Sequence, residues 1–187
     1  LAKERPMAIV WSVDLASHSA GHDNVTSLVN LQLLLGNFGA AGGGLIPLRC
    51  QNNSQGACDM GAFPHEYTGY RHVSDEATRH LFEGAWGVKL DSEPGLRIPN
   101  MLDAAVDGTF KGLYVQGEDI AQSDPNTKHV TAGLAAMECV VVQDLFLNET
   151  AMYAHVFFPG SSFLEKDGTF TNAERRISRV RKAMPPM

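Results

Sequence analysis

The chain has 187 residues, 44% of them hydrophobic and 19% charged, and this globular composition excludes a disordered or fibrous protein. The net charge of −6 argues against nucleic acid as a partner, and the apolar runs are too short for direct membrane insertion. Three cysteines make no disulfide framework and no signal peptide is visible, so we expect a cytoplasmic protein, with the periplasm as the alternative.

The first part of the chain predicts a strand, a helix and a long loop. Residues 7–13 form a continuous apolar run, which is typical of a buried strand. Asn24 is placed to cap a helix that runs to Leu35 and ends at Gly36. Residues 39–71 show no hydrophobic period, and a connection so much longer than the usual ~4–6 residues indicates a functional loop.

Helices and strands alternate in the rest of the chain. This alternation predicts an α/β fold built from parallel βαβ units, with helices on both faces of the sheet. Residues 175–182 predict an edge strand or an extended arm. The predicted helices open at Ser74, Pro99 and Pro125, a helical turn covers 149–154, and the predicted strands cover 113–116, 139–143 and 156–158.

Small or polar residues follow each predicted strand. In open parallel sheets, ligands bind beyond the carboxyl ends of the strands, so these residues predict a binding crevice. They are residues 14–19, 117–119, 144–148 and 160–162.

Two of these segments suit a nucleotide. The backbone N–H groups of Gly117, Glu118 and Asp119 are placed to face an anion such as a diphosphate, unless the segment is only a glycine turn. Gln143 and Asp144 end a strand, and a carboxylate there can accept two N–H bonds from one edge of guanine. The alternative is an aspartate that caps the next helix.

Arg49 lies in the long loop, two residues after Pro47, and its guanidinium can bind a small carboxylate with two parallel hydrogen bonds. The neighbouring amides of Gln51 and Asn52 can both donate and accept, which suits the edge of a polar heterocycle, although a surface loop can look similar. Cys50 and Cys58 lack the spacing of zinc ligands, so we expect no metal ligands in this chain.

Five motifs resemble those of molybdopterin oxidoreductases, and the resemblance spans essentially the whole chain. NLQLLLGNFG and the following glycines resemble the helix and glycine turn of that family, and PLRCQNNSQGACDMG resembles formate dehydrogenase catalytic subunits. The other matching motifs are residues 117–125, 143–151 and 162–176.

The resemblance implies a doubly wound α/β fold, with molybdenum or tungsten held by two molybdopterin guanine dinucleotides. It implies oxidation of formate to CO₂, a 4Fe-4S cluster in the N-terminal part of the family's subunits, and electron-transfer subunits as partners. It gives Arg49 the role of orienting formate beside the metal. By position in the matching motifs, the residues implied for cofactor binding are Gln51, Asn52, Gly117, Glu118, Asp119, Gln143, Asp144, Thr150, Asp167 and Asn172.

Family catalytic subunits are several times longer than this chain. They carry a cysteine-rich cluster segment, a cysteine or selenocysteine followed by histidine, and a C-terminal barrel, none of which is visible here. We therefore expect a middle segment, inactive alone. Residues 1–50 would end one α/β cofactor domain, residues 51–162 would form part of a second dinucleotide-binding domain, and residues 163–187 would be an arm towards the cluster domain.

Three other interpretations stay open at this stage. One is a non-catalytic relative, such as the large iron–sulfur subunit of respiratory NADH dehydrogenases, although Arg49 and Asp144 argue against it. Another is a stand-alone guanine nucleotide-binding module, and the third is a related molybdoenzyme such as nitrate reductase. Two departures weaken parts of the resemblance: Cys50 stands where the family commonly has glycine, and residues 11–14 lack the usual glycine-rich turn.

Overall fold

A computed structural model describes Lys3 and residues 5–186, and the contacts divide the chain into two compact units. The first comprises residues 1–61 and 169–179, and the second comprises residues 62–168 and 180–187. The domain limits expected after residues 50 and 162 concern a longer protein and stay predictions. Within the described part of the chain, no helix is long and apolar enough to span a membrane.

The regular elements follow one another along the chain as an α/β arrangement. The strands are β1 (Ala8–Ser12), β2 (Gly44–Leu48), β3 (Glu66–Tyr67), β4 (Arg71–His72), β5 (Gly112–Gln116), β6 (Cys139–Asp144), β7 (Val156–Pro159), β8 (Gly168–Thr171) and β9 (Ile177–Val180). The helices are α1 (Gly21–Leu34), α2 (Ser54–Asp59), α3 (Glu76–Trp86), α4 (Ile98–Val106), α5 (Ile120–Ser123) and α6 (Thr127–Ala136).

In the first unit, β1 and β2 are parallel and α1 lies between them in sequence, which makes one βαβ connection. Ala8 is paired with Gly44 at one end and Ser12 with Leu48 at the other. The prediction that residues 39–71 lack regular structure is wrong, because β2, α2 and β3 lie within them. The strand was missed because Gly44 and Pro47 are poor strand residues, and Pro47 pairs with β1 here.

The predicted start of α1 is also wrong, because Asn24 lies inside the helix and does not cap it. The helix begins at Gly21, where a Cβ atom would approach the carbonyl oxygen of Ala16 to 2.1 Å, so only glycine fits this position. Asn24 instead donates from Nδ2 to the carbonyl of Leu15, at 3.2 Å. Its amide therefore secures the turn that precedes α1.

Two buried amides hold the first unit together. The Gln32 side chain is fully buried, and its Nε2 donates to the carbonyls of Met7 and Gly44, just before β1 and at the start of β2. Asn37 donates from Nδ2 to Gln32 Oε1 at 2.7 Å and accepts the N–H of Met7 at 3.1 Å. The motif that contains both residues therefore joins the starts of β1 and β2, at one end of the parallel pair.

In the second unit, β5, β6 and β7 form a parallel sheet in that order, which confirms the parallel α/β prediction. Proline in the first turn of α4 and the buried run of β6 match the sequence pattern. The core of this unit is apolar and comes from α4, α5, α6 and the sheet. Its buried members are Leu102, Ala105, Val115, Ile120, Ala121, Val130, Leu134, Met137, Val140 and Val142.

The helices of this core pack on one face of the sheet. Leu102 of α4 and Leu134 of α6 join Val115, Val140 and Val142 in the cluster. The opposite face carries Tyr114, Val156 and Phe158, which are 55%, 42% and 49% exposed. Among the described residues of this unit, the helices therefore pack on one face of the sheet. The other face, where the sequence also predicted helices, is open.

Candidate functional site

Three loops meet at the carboxyl end of the β5–β6–β7 sheet, where the sequence predicted a crevice. The backbone N–H of Gly117 donates to the carbonyl of Gln143 at 2.9 Å, which ties the end of β5 to that of β6. The N–H of Gly160 donates to the carbonyl of Asp144 at 2.8 Å, which ties the end of β7 to the same place. Gly117 has φ +66°, a left-handed conformation that favours glycine.

Asp144 occupies the end of the central strand and is half-buried. Its Oδ1 accepts the N–H of Leu145 at 2.6 Å, and its Oδ2 accepts the side-chain amide of Asn148 at 2.9 Å. These bonds hold the turn after β6, but they do not cap the next helical turn, Thr150–Tyr153, which has Glu149 at its N-cap. They use two of the roughly four acceptor positions of a carboxylate, so capacity for further N–H donors remains.

Gln143 points to the open face of the sheet, where the hydroxyl of Tyr114 donates to its Oε1 at 2.6 Å. This bond occupies the carbonyl side of the amide and turns the NH₂ group away from Tyr114. Gln143 therefore keeps both N–H donors and one carbonyl lone pair for its remaining surroundings.

The loop after β5 has backbone N–H donors without an acceptor among the described residues, and the carboxylates of the same loop are hydrogen-bonded. The Glu118 carboxylate accepts the hydroxyl of Ser123, and the backbone N–H groups of Glu118 and Asp119 donate to no acceptor in the described chain. The Asp119 carboxylate instead accepts both the backbone N–H and the hydroxyl of Thr150, at 3.0 and 2.6 Å. Thr150 is fully buried.

Arg49, Gln51 and Asn52 lie together in the first unit, in the loop that follows β2. All three are exposed, and the guanidinium of Arg49 has no hydrogen-bond or ion-pair partner among residues 5–186. The carbonyl of Gln51 accepts both the N–H and the hydroxyl of Ser54, which joins the loop to α2. The cation is thus available to an anionic ligand.

A contact that the sequence pattern does not indicate braces this loop. Oδ1 of Asn53 accepts the N–H of Thr171 in β8 at 3.0 Å, a link across 118 positions of sequence. The same oxygen would lie 2.2 Å from a Cβ atom at the buried Gly56, so a side chain at this position would displace the amide that makes the bond. The signal that could have found the pair is a glycine three residues after an asparagine in an otherwise amide-rich segment.

Asp167 and Asn172 lie in different units. Asp167 Oδ1 accepts the N–H of Lys182 at 3.3 Å. Asn172 Oδ1 accepts the N–H groups of Glu174 and Arg176, both at 3.0 Å, and so closes the turn between β8 and β9. Their predicted cofactor contacts stay predictions.

The structure brings six of the predicted site residues together in the second unit and three in the first. The six are Gly117, Glu118, Asp119, Gln143, Asp144 and Thr150. Over the described residues, no group of three or more His, Cys, Asp or Glu side chains is arranged to hold a metal ion. The loops at this edge of the sheet offer a carboxylate with unused lone pairs and two backbone N–H groups without an acceptor in the described chain, and groups of these kinds can bind the N–H donors of a base and the oxygens of a phosphate.

Over residues 1–187 the chain matches the family described as "Molybdopterin oxidoreductase". It is 45% identical over 179 residues to the F420-dependent formate dehydrogenase subunit alpha of Methanocaldococcus jannaschii, which covers 96% of this chain and 26% of that protein. A Bacillus subtilis protein provisionally named as a formate dehydrogenase is 44% identical over 179 residues, or 96% of this chain and 18% of its own length.

The fold also matches a solved structure, acetylene hydratase from Pelobacter acetylenicus, with a TM-score of 0.67 and 18% identity. The match covers 99% of this chain and 28% of that protein, and at this identity it supports the fold alone. The chain spans about a fifth to a quarter of the curated relatives that it matches. Because the family match extends over its whole length, this chain belongs to the molybdopterin oxidoreductase family, which implies a molybdopterin cofactor with molybdenum or tungsten.

Proposed function

We propose that the complete protein is a formate dehydrogenase and that this chain supplies part of its cofactor and substrate site. The observation that carries the proposal is the 45% identity to a formate dehydrogenase alpha subunit along 96% of this chain. The proposal includes two molybdopterin guanine dinucleotides, a 4Fe-4S cluster held elsewhere in the protein, and electron-transfer subunits as partners.

The carboxyl end of the second unit's sheet suits the guanine nucleotide arm of such a cofactor. Asp144 is fixed by Leu145 and Asn148, and its remaining lone pairs suit the two N–H donors on the Watson–Crick edge of guanine. Adenine presents one donor and one acceptor there, so the carboxylate favours guanine. The N–H groups of Glu118 and Asp119 suit phosphate oxygens.

The guanidinium of Arg49 is suited to bind the carboxylate of formate. Formate is a small planar carboxylate, and a guanidinium can bind it with two parallel N–H···O bonds. The loop that carries Arg49 is braced by the Asn53–Thr171 hydrogen bond within the first unit, which limits the freedom of the backbone. A guanidinium bound to both carboxylate oxygens orients formate so that its C–H bond faces away from the arginine.

Oxidation of formate yields CO₂, one proton and two electrons. When bound, the molybdenum or tungsten cofactor supplies the two-electron acceptor for this reaction. In this proposal Arg49 holds the carboxylate oxygens of formate and compensates their charge, while Asp144 and the Glu118–Asp119 backbone hold a guanine nucleotide.

The substrate role is tested by Arg49→Ala in the complete protein. Loss of a charge-assisted pair should lower kcat/KM for formate by about 10- to 100-fold while molybdenum or tungsten content stays near wild type. Arg97→Ala is the matched control, because Arg97 is also exposed and lies just before α4. Equal losses of metal and activity in Arg49→Ala would contradict the substrate role.

The nucleotide role is tested by Asp144→Ala, with bound guanine nucleotide measured after acid release and chromatography. We expect reduced guanine content per polypeptide, because the base loses its charged acceptor. Asp124→Ala, which removes another carboxylate of the same unit, is the control. Unchanged guanine content in Asp144→Ala would refute the assignment.

A further inference from the structure

The hydroxyl of Thr150 joins the two loops that carry the proposed nucleotide contacts. It donates to Asp119 Oδ1 at 2.6 Å and accepts the N–H of Ala121 at 3.1 Å. The backbone N–H of Thr150 donates to the same Asp119 oxygen at 3.0 Å. Three hydrogen bonds thus connect the turn after β6 to the loop after β5.

The Thr150 side chain has no surface left for a ligand. Its relative exposure is 0%, its single hydroxyl hydrogen is used by Asp119, and one of its lone pairs is used by Ala121. A direct contact with the cofactor, as its motif implies by resemblance, would require the residue to leave this position. Its effect on a ligand must therefore pass through the loop that it holds.

The loop of residues 117–119 is fixed at both ends. At one end the N–H of Gly117 bonds to the carbonyl of Gln143, directly before Asp144. At the other end the Asp119 carboxylate bonds to Thr150, and the Asp119 carbonyl accepts the N–H groups of Gln122 and Ser123 in α5. Between the two attachments lies Glu118, whose N–H group donates to no described acceptor.

We propose that Thr150 and Asp119 are positioning residues that hold the free N–H groups of the 117–119 loop at a fixed separation from Asp144. Asp144 and this loop are proposed to bind opposite ends of one guanine nucleotide. The hydrogen bonds between Thr150 and Asp119 therefore set the distance between them before the ligand binds. A site organised in advance loses less conformational entropy on binding. This inference rests on the proposed nucleotide role of the site.

The test compares three variants of the complete protein. Thr150→Val has nearly the same shape and lacks the hydroxyl, Thr150→Ser keeps the hydroxyl, and Thr131→Val removes a hydroxyl that bonds only within its own helix α6. The measured quantities are the molybdopterin guanine dinucleotide retained per polypeptide after gel filtration, its release rate, and hydrogen exchange of the Ala121 amide.

We expect Thr150→Val to release the dinucleotide about tenfold faster than wild type and to increase exchange at Ala121, since two hydrogen bonds are lost. Thr150→Ser should restore both values, and Thr131→Val should match wild type. Wild-type release from Thr150→Val, or no rescue by serine, would overturn the positioning role while the proposed function stands. A wild-type protein that contains no guanine dinucleotide would overturn both.

Discussion

The two units are stabilised by different kinds of interaction. The second unit has an apolar core in which Leu102, Val130, Leu134, Val140 and Val142 are buried to within 1% of full burial. In the first unit, Leu35 is the only buried hydrophobic side chain among the residues that the structure describes. The largest fully buried side chains there are the amides of Gln32 and Asn37.

This difference matters because the two interactions tolerate change differently. An apolar core accepts exchanges that conserve volume, whereas a buried amide network needs each donor and acceptor in its place. In the first unit the network fixes the starts of β1 and β2, and Arg49 follows the other end of β2. The unit that carries Arg49, the proposed substrate-binding residue, is therefore stabilised by a polar network. The unit that carries the proposed nucleotide contacts is stabilised by apolar packing.

The largest effect is expected from Gln32→Leu. The change removes the donor to the carbonyls of Met7 and Gly44 and the acceptor of the Asn37 NH₂ group, at about 1–3 kcal/mol each, so we expect the first unit to lose roughly 3–9 kcal/mol. Hydrogen exchange of the β1 and β2 amides measures this loss. Gln122→Leu, at an exposed position, is the control.

If Gln32→Leu left exchange in β1 and β2 unchanged, the amide network would not be what stabilises this unit. If exchange rose equally in β5 and β6, the two units would unfold as one. Either result would remove the contrast between them.

A somewhat smaller effect is expected from Leu134→Ala in the apolar core. Removal of a fully buried leucine should lower the free energy of unfolding by about 2–5 kcal/mol. Leu134→Met conserves volume and should cost less than about 1.5 kcal/mol. Denaturant unfolding followed by exchange in β5 and β6 measures both, and equal costs for alanine and methionine would contradict the packing argument.

The same contrast explains what the sequence could predict. The apolar run of β6, the proline in the first turn of α4 and the position of Asp144 at a strand end all follow from local pattern, and the structure contains all three. These features need only the residues within one element. Their agreement shows that local propensity and tertiary packing favour the same structure in the second unit.

The missed features depend on distant partners. The strand β2 contains Gly44 and Pro47, and it forms because β1 pairs with it from 36 positions away. The bond from Thr171 to Asn53 spans 118 positions, and that between Thr150 and Asp119 spans 31. A polar side chain gives no sign in the sequence of whether it will meet a ligand or another loop, so contact and positioning roles could not be separated there.

The smallest effect expected is one of pH, and it concerns neither network nor core, since amides and apolar groups do not titrate. The pKa of Asp75 lies below its ordinary value because its carboxylate accepts the hydroxyl and the N–H of Thr78 at the start of α3. The pKa of Glu83 is lowered by the N–H of Leu90 and by His80. A lowered carboxyl pKa contributes stability above the unfolded value of about 4, and that stability is lost as the pH falls through the folded value.

Acidification should therefore loosen α3 before it affects β1, β2 or the apolar core. Hydrogen exchange of peptides from α3, corrected for the intrinsic pH dependence of exchange, measures this between neutral pH and about pH 3. Asp75→Asn keeps an acceptor for the cap and removes the titration, so it should weaken the pH response of the first turn. An unchanged response in that variant would mean that acid acts on α3 through other groups. The difference between the polar network and the apolar core would still hold at neutral pH, but the Asp75 cap would not explain how α3 responds to acid.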